Sequence, residues 1–409
     1  MVAILGYSRQ QIAAAVQEMY TTVADAPDSP FHFPVGRAAC QRLGYPETLT
    51  ADLPDALLAS FAGVGYPFRA QAIQPGDRVL DIGAGAGNDT LIASRLAGPE
   101  GRVIALDLTA AMTRKLKGTA DQAGYDNLSV VQASAEALPL ADASIDSITS
   151  NGALNLVPDK RRAVAEMFRV LRPNGRLQLA DVVIHRPVSV DCHEDPRLWV
   201  ECVVGATVKE ELLALFAEAG FEDVEVVGSH DYFALSPSRQ TREVAQSFGA
   251  HAIEVGMRRG EQPPSALQRW WRRLDPRRAW LRLERRGLLG MAALALALVS
   301  CYGTLALVGL LPLLGIGLTL NEGAWAGTIT LFVLLTLLTL AAGYRHHRHL
   351  GPTLLAAAGS GTVLYALFID YQALVELAGF VLLAGAALWD LAQRRRQEAR
   401  ALGLGLDKG

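Results

Sequence analysis

The chain has 409 residues, more than one compact core usually holds, so the sequence predicts two or more folded units. Hydrophobic residues make up 51% of the chain and charged residues only 19%, a balance that favours a membrane-associated protein. From residue 258 onward 17 Lys and Arg stand against 9 Asp and Glu, a net +8, and since the whole chain carries −3, residues 1–257 carry −11; so acidic a part is a poor nucleic-acid binder, because phosphate contacts need Lys and Arg.

The first 60 residues read as a helical segment that precedes the first strong strand. Amphipathic helices are predicted over 8–25 and 48–60. The stretch "MVAILGYSRQQIAAAVQEMY" lacks a basic n-region, so we expect no secretory signal peptide and a cytosolic N-terminal unit. Four scattered cysteines are too few for a disulfide framework and fit a reducing compartment.

Residues 61–256 alternate between strand and helix patterns. The predicted strands cover 78–82, 102–108, 128–134, 144–151, 175–183 and about 222–228, and the predicted helices cover 88–97, 110–123, 159–171 and 207–219. Such alternation predicts parallel strands joined by crossover helices, hence a Rossmann-like, doubly wound α/β domain.

The motif "VLDIGAGAGNDT" (79–90) carries the predicted cofactor chemistry. Asp81 ends a strand, and Gly83, Gly85 and Gly87 allow a cofactor to approach the backbone and the next helix N-terminus. A dinucleotide fingerprint needs a glycine where this chain has Asn88, so the spacing favours S-adenosylmethionine over NAD.

Two further acidic positions follow successive strands. Asp107 ends the second strand, where a carboxylate can accept hydrogen bonds from ribose hydroxyls, and Glu136 in "SAEALPL" (134–140) follows the third. Each acid alone could be a helix cap or a solvated loop residue. Three elements in this order favour a cofactor site.

The C-terminal part predicts an all-α membrane domain of four transmembrane helices over 287–393. Its apolar runs, at roughly 288–318, 324–343, 352–369 and 373–391, are each long enough to supply the ~20 residues that a spanning helix needs. An Arg- and Trp-rich interfacial linker (257–286) precedes them and a basic tail (394–409) follows. Basic residues lie before the first run, between the second and third, and after the fourth, whereas the other two connections have no Lys or Arg. Because basic connections favour the cytoplasmic side, we expect a multi-pass protein of the cell (inner) membrane, with both termini and the α/β domain cytoplasmic.

Over about residues 60–230 the sequence resembles the class I S-adenosylmethionine-dependent methyltransferases, through the motifs above and the late turn "LRPNGRL" (171–177). This resemblance implies a cofactor site lined by Asp81, Gly83, Gly85, Gly87, Asp107, Leu108, Ala135, Glu136 and Asn151.

Within that family, "GPEGRVIALDLTAAM", "SNGALNLVPDK" and "DPRLWVECVVGA" are similar to arsenite methyltransferases, whose cysteine thiolates bind trivalent arsenic. The resemblance places Cys202 at one family cysteine, whereas Gly152 and Val64 stand at the other two. Cys192 in "VDCHEDP" is the nearest replacement, so Cys202 and Cys192 are the predicted acceptor and metal ligands, with Cys40 a more distant candidate. Either thiol could instead be a small buried or surface residue.

Residues 288–393 resemble the MerC family of mercuric-ion transport proteins, through "LVSCYGTLALVGLLPLLGIGL" and "GFVLLAGAALWDL". The first helix of that family carries a C-x-x-C pair, of which this chain has Cys301 but Thr304 at the second position. A single thiol cannot form that two-thiolate pair, so the sequence counts against metal transport by this unit. "YRHHRH" (344–349) reads as a cytoplasmic anchor, and Glu376 lies near the end of the fourth span.

The sequence therefore predicts a membrane-tethered methyltransferase with S-adenosylmethionine as cofactor and a small-molecule or metalloid acceptor. Its other expected partners are the lipid bilayer and a thiol co-substrate, and no nucleic acid. Two alternatives stay open: a soft-metal membrane carrier or sensor with a regulatory S-adenosylmethionine domain, and a lipid or quinone methyltransferase.

Overall fold

The computed structural model describes residues 8–185, 205–262, 288–299 and 322–401, together with positions 264, 265, 268 and 283. The chain divides into two compact units, Met1–Arg273 and Leu274–Gly409. Cys192, Cys202 and Cys301 lie outside the described residues, as does most of the predicted interfacial linker.

The first unit contains short and medium helices among its described residues. They are α1 (Arg9–Asp25), α2 (Gly36–Arg42), α3 (Glu47–Thr50), α4 (Asp55–Leu58), α5 (Asn88–Ala97), α6 (Ala110–Ala123), α7 (Lys160–Val170), α8 (Lys209–Ala219) and α9 (Arg239–Phe248). Short 3₁₀ turns cover Pro67–Ala70, Leu154–Leu156 and Phe233–Leu235. Ser8 begins α1 with a capping box: its hydroxyl accepts a hydrogen bond from the Gln11 amide, and the Gln11 side chain accepts one from the Ser8 amide.

The strands form one eight-stranded mixed sheet. They are β1 (Arg78–Ile82), β2 (Arg102–Asp107), β3 (Leu128–Gln132), β4 (Ile145–Asn151), β5 (Leu171–Ile184), β6 (Thr207–Val208), β7 (Phe221–His230) and β8 (His251–Arg259). The order is β3-β2-β1-β4-β5-β8-β7, with β6 paired to β5. Among the described strands, only the β8 pairings, with β5 and β7, are antiparallel. The predicted Rossmann-like fold is confirmed.

The strand order reverses between β1 and β4, because β2 and β3 extend from one side of β1 whereas β4 and β5 extend from the other. Ligands of open α/β sheets bind beyond the carboxyl ends of the strands at such a switch point. The core beneath that edge is built from apolar strand residues such as Leu80, Ile148 and Leu177, packed with Met167 of α7 and Phe216 of α8.

Three local predictions needed correction. The single helix predicted over 48–60 is two short helices, because Pro54 fixes its own φ and has no amide hydrogen to continue a helix. Helix α9 and strand β8 were not predicted, since β8 gains its stability by pairing with distant β5 and β7. Strand β8 continues to Arg259, so the sheet extends into residues 257–259 of the predicted linker.

The second unit is helical, with α10 (Leu289–Leu298), α11 (Glu322–His347), α12 (Gly351–Phe368) and α13 (Ala373–Ala401) among its described residues. Within the part of the chain that the structure describes, three stretches are long and apolar enough to cross a membrane: Ala326–Arg345, Gly351–Phe368 and Ala373–Arg394. They match three of the four predicted spans. Of the remaining predicted span, 288–318, the structure describes only residues 288–299.

The surface of this unit is apolar. Every exposed large hydrophobic side chain in the described part of the protein lies between Met291 and Trp389, including Leu338, Leu354 and Leu374. Smaller side chains allow the helices to approach closely inside. A Cβ at Gly359 would lie 2.9 Å from the Gly379 carbonyl oxygen, so α12 and α13 cross at these two glycines.

Candidate functional site

A turn between β1 and α5 forms the floor of a cavity. Gly83, Gly85 and Gly87 all have positive φ, at 75°, 54° and 106°. A Cβ at Gly83 would lie 2.3 Å from the Ala153 Cβ, and one at Gly87 would lie 2.1 Å from the Leu116 Cδ1. A Cβ at Gly85 would meet nothing within 4 Å. Glycine is thus needed for packing on two sides of the turn, while at the centre it leaves the backbone open to a ligand.

Asp81 lies beneath this turn and is not among the residues that line the cavity. Its Oδ2 accepts a hydrogen bond from the Thr90 hydroxyl at 2.5 Å. Burial, and to a lesser extent the nearby Asp89, raise the pKa of Asp81 to about 8 although the Thr90 hydrogen bond favours the charged form. The resemblance implied Asp81 as part of the lining, whereas here its buried side chain joins β1 to Thr90 of α5 as a neutral acid near pH 7.

Asp107 is fixed at the end of β2. Its Oδ2 accepts a hydrogen bond from the Gly85 amide at 2.8 Å, and its Oδ1 accepts one from the Thr109 amide at 2.7 Å. Burial raises the pKa of Asp107 although these backbone hydrogen bonds favour the carboxylate. Leu108 also lines the cavity, and its carbonyl accepts a hydrogen bond from the Gln17 side chain at 3.1 Å. The carboxylate predicted to bind ribose therefore also holds the glycine turn.

Ala135 and Glu136 line the cavity beyond the end of β3. The Glu136 Oε1 accepts a hydrogen bond from the Asp159 amide at 2.6 Å. This bond joins the loop after β3 to the segment after β4, so residues from four successive strand ends meet around one space.

Asn151 lies at the centre of a hydrogen-bond network. Its Nδ2 is 2.9 Å from three acceptors: the Tyr45 hydroxyl, the Gly65 carbonyl and the Asp89 Oδ2. Its Oδ1 accepts hydrogen bonds from the Val64 amide at 2.8 Å and the Gly65 amide at 3.2 Å. Asn151 was predicted as a cofactor ligand. It lines the cavity and also joins β4 to α5 and to the loop before β1.

Sequence reasoning missed two partners in this network. The Tyr45 hydroxyl donates a hydrogen bond to the Asp89 Oδ1 at 2.6 Å. Burial raises the pKa of Asp89, and it raises the pKa of Tyr45 well above the usual value of a tyrosine. Asp89 closely follows the last glycine of the motif, in the first turn of α5. Its distance from Tyr45 in sequence hid the pairing.

Helix α1 forms one wall of the cavity, which the sequence did not indicate. Arg9, Gln10, Ala13, Val16 and Tyr20 face the cavity. The Arg9 guanidinium pairs with the Asp159 carboxylate at 2.6 Å, and the Gln17 bond to Leu108 holds the middle of the helix. The amphipathic pattern predicted the helix, but only the fold places it over the switch point.

The cavity has a volume of about 340 Å³, within the usual range for small-molecule sites. Eight of the nine predicted cofactor residues line it, and Asp81 is the exception. The Asn88 Oδ1 is buried at this wall and has no hydrogen-bond partner among the described residues. An open glycine turn, acceptor groups at β2 and β3 and an unsatisfied amide oxygen fit a nucleoside with a charged amino-acid tail, as in S-adenosylmethionine.

Val64 and Gly152, the two positions at which arsenite methyltransferases carry cysteine, lie side by side. A Cβ at Gly152 would be 3.1 Å from the Val64 Cγ1, and Gly152 has a φ of 71°. Val64 is buried, with 3% of its surface exposed. Its isopropyl group thus occupies the space beside Gly152. Of the predicted metal ligands, Cys192 and Cys202 lie outside the described residues.

Cys40, the third candidate thiol, is buried beside α5. Burial raises the pKa of this thiol to about 12, with a further contribution from Asp89. The thiolate is the form that binds metal, so a metal at Cys40 would have to displace this proton, and Cys40 stays the more distant candidate. Within the residues that the structure describes, no group of three or more His, Cys, Asp or Glu side chains is arranged to hold a metal ion.

Two family descriptions match the chain: "Methyltransferase domain" over residues 73–220, and "MerC mercury resistance protein" over residues 288–392. The first covers the strands and turns that build the cavity. The second covers the apolar helices of the second unit.

Among similar proteins, the arsenite methyltransferase of Halobacterium salinarum is 38% identical over 186 residues, 46% of this chain and 47% of the relative. A ubiquinone/menaquinone biosynthesis C-methyltransferase of Yersinia pestis is 35% identical over 176 residues, 37% of this chain and 69% of the relative. An arsenic(III) S-adenosylmethionine methyltransferase structure from Chlamydomonas reinhardtii aligns with 29% identity and a TM-score of 0.42, covering 57% of this chain and 76% of that one.

The chain spans about half the length of the arsenite methyltransferases that it matches. The names of these relatives differ, from arsenite to ubiquinone/menaquinone biosynthesis, but each is a methyltransferase, as is the domain that matches residues 73–220. Through that domain the chain belongs to the S-adenosylmethionine-dependent methyltransferases, and its C-terminal unit carries a MerC match.

Proposed function

We propose that this protein transfers a methyl group from S-adenosylmethionine to a small soft nucleophile, of the trivalent-arsenic type, at the surface of a membrane. The observation that carries the proposal is the meeting of the open glycine turn, Asp107 and Glu136 around one cavity at the switch point of the sheet. The relatives named as arsenite methyltransferases support the choice of acceptor.

The residues around the cavity would bind and orient the cofactor. Asp107 and Glu136 offer carboxylate acceptors at the ends of β2 and β3, and the Asn88 Oδ1 offers an amide acceptor at α5. When bound, S-adenosylmethionine supplies an electrophilic methyl group on a positively charged sulfonium, which becomes a neutral thioether as the methyl leaves. Asp89, Asp107 and Glu136 give the wall acidic groups that favour a cationic ligand.

The acceptor chemistry follows from the Val64–Gly152 contact. A lone pair on trivalent arsenic carries no proton, so an attack on the methyl carbon needs alignment and no general base. Neither Val64 nor Gly152 supplies a thiolate. We therefore assign sulfur ligation to Cys202, with Cys192 as a second ligand and a small-molecule thiol as co-substrate.

The second unit would anchor the enzyme in the cell membrane. Its exposed leucines and the three apolar stretches suit a lipid environment. Arg and His residues between α11 and α12, and the basic residues after the last stretch, favour a cytoplasmic side for these connections. We infer a multi-pass inner-membrane protein whose methyltransferase unit and termini are cytoplasmic.

A second acceptor class, a quinone or lipid, is favoured by the apolar character of the same region. Val64 replaces a thiol with an isopropyl group, and Ala13, Val16 and Tyr20 of α1 present apolar or aromatic surface to the cavity. The C-methyltransferase of Yersinia pestis is a relative with this class of acceptor in its name.

The test uses the full chain in lipid nanodiscs with labelled S-adenosylmethionine. Arsenite with glutathione, glutathione alone and a quinone extract are offered separately, with Cys202→Ser and Cys192→Ser beside the wild type. Cys301→Ser is the matched control, because it removes a thiol from the second unit. Transfer to arsenite that requires Cys202 and ignores Cys301 is expected.

Transfer to the quinone extract alone, untouched by Cys202→Ser, would contradict the soft acceptor and support the second class. Binding of S-adenosylmethionine without methyl transfer to any of the three acceptors would contradict the proposed enzyme and support a soft-metal carrier or sensor with a regulatory S-adenosylmethionine domain.

A further inference from the structure

A short turn after β4, Leu154–Leu156, is held at both ends by buried side chains of opposite charge. At its beginning the Asp181 carboxylate accepts hydrogen bonds from the Leu154 amide and, at 2.9 Å, from the Asn155 amide. At its end the Lys160 ammonium donates to the Asn155 carbonyl at 2.8 Å and to the Val157 carbonyl at 3.0 Å. The negative group thus meets amide hydrogens and the positive group meets carbonyls, the arrangement that backbone dipoles favour.

The same turn forms part of the cavity wall. Gly152, Ala153, Leu156, Val157 and Pro158 all face the cavity. Ala153 is also the residue against which Gly83 packs, so the turn contacts the glycine turn directly. A shift in the turn would therefore move the wall that both cofactor and acceptor must meet.

Keeping these two charges buried does not stabilise the fold. Lys160 is 7% exposed and Asp181 is 2% exposed. Burial lowers the pKa of Lys160 to about 8, against which Asp181 and Glu136 act, and burial raises the pKa of Asp181 to about 6. A raised carboxyl pKa and a lowered ammonium pKa both mean that the folded state disfavours the charged forms relative to the unfolded chain. Stability alone would not select such a pair.

We propose that Lys160 and Asp181 are positioning residues for methyl transfer, which hold the Leu154–Leu156 turn in place without touching substrate. The inference rests on the proposed function. Both charges are present together only between about pH 6 and pH 8. As the pH falls through about 6, Asp181 takes up a proton and loses acceptor capacity for the turn amides, and as it rises through about 8, Lys160 loses its charge at the turn carbonyls.

The test compares the full chain in nanodiscs with the double variant Lys160→Met and Asp181→Asn, which removes both charges at similar volume. Removing one partner alone leaves an uncompensated buried charge and risks unfolding, so the double variant is the informative one. The matched control is Arg161→Met with Glu218→Gln, a pair 2.6 Å apart that also involves α7 but is partly exposed.

The double variant should melt at or above the wild-type temperature while its turn loosens. Amide hydrogen exchange at residues 154–157 should quicken by roughly tenfold. With the acceptor identified above, kcat should fall by about tenfold or more, with KM for S-adenosylmethionine changed by less than about threefold, because small misplacements of a reacting group affect the rate most strongly. In the wild type we expect kcat to fall below about pH 6 and above about pH 8, and both falls should be absent from the pH profile of the double variant.

Unchanged exchange at residues 154–157 in the double variant, or a wild-type turn whose exchange protection does not vary between these two pH values, would overturn the proposal. Because exchange needs no acceptor, this reading stands even if no methyl transfer is found. A loose turn in an inactive wild type would count against the proposed function alone.

Discussion

Gly85→Ala should separate cofactor binding from folding. Gly85 has a φ of 54°, and an added Cβ would meet nothing within 4 Å. The fold then loses only what a left-handed alanine costs, roughly 1–2 kcal/mol, since nothing collides with the new methyl group. For a unit of this size that is a fall in melting temperature of about 2–8 °C.

The same methyl group projects into the space that we assign to S-adenosylmethionine. Loss of close backbone approach should weaken binding by at least about tenfold, the equivalent of 1.4 kcal/mol. Isothermal titration of the full chain in nanodiscs measures that affinity, and thermal unfolding measures the cost to the fold.

Two other glycines are the controls. Gly76→Ala imposes the same kind of backbone strain, at a φ of 86° with nothing within 4 Å, and Gly76 does not line the cavity. It should lower stability equally and leave affinity unchanged. Gly87→Ala would place a Cβ 2.1 Å from the Leu116 Cδ1 and should destabilise more than either. Wild-type affinity in Gly85→Ala would refute the placement of the cofactor against this turn.

Three further predictions concern the buried acid Asp81, the valine at position 64, and Arg9 of helix α1. Because the pKa of Asp81 is raised to about 8, the unfolded chain releases this proton at lower pH than the folded one, so stability falls as pH rises from about 4 to about 8; Asp81→Asn should flatten that fall in urea titrations, and an unchanged slope would contradict a buried neutral acid. Val64→Cys should raise transfer to arsenite, by about tenfold if one added thiolate tightens the soft site by about 1.4 kcal/mol, whereas Val64→Thr, of similar volume, should not; equal rates in both would argue against a soft acceptor at this position. Arg9→Gln should speed release of S-adenosylmethionine by up to about fivefold, since an exposed ion pair contributes at most about 1 kcal/mol, while Arg37→Gln, which breaks an exposed pair away from the cavity, should leave release unchanged in stopped-flow measurements.

Local sequence determined the order and type of most elements around the site. The strands ending at Ile82, Asp107 and Asn151 and the helix Asn88–Ala97 lie where apolar runs and glycines predicted them. These features are local patterns: the spacing of the glycines, the acids after successive strands and the apolar runs of the second unit each involve residues close together in the chain. They can therefore be recognised from the sequence alone.

Tertiary structure decided what those residues contact. It placed Asp81 beneath the glycine turn, gave Asn151 its partners Tyr45 and Asp89, and brought α1 over the cavity. Burial, which shifts the pKa values of these acids, depends on chain segments far apart in sequence.

The segment "SNGALNLVPDK" (150–160) shows this division most clearly. The sequence indicated that Gly152 and Val64 each stand where arsenite methyltransferases carry cysteine. Only the fold shows that the two lie in contact, and that Lys160 of the same motif and Asp181 of β5 together hold the turn Leu154–Leu156. The sequence gives the type of each residue, whereas the order of the strands decides which residues lie beside it at the edge of the sheet.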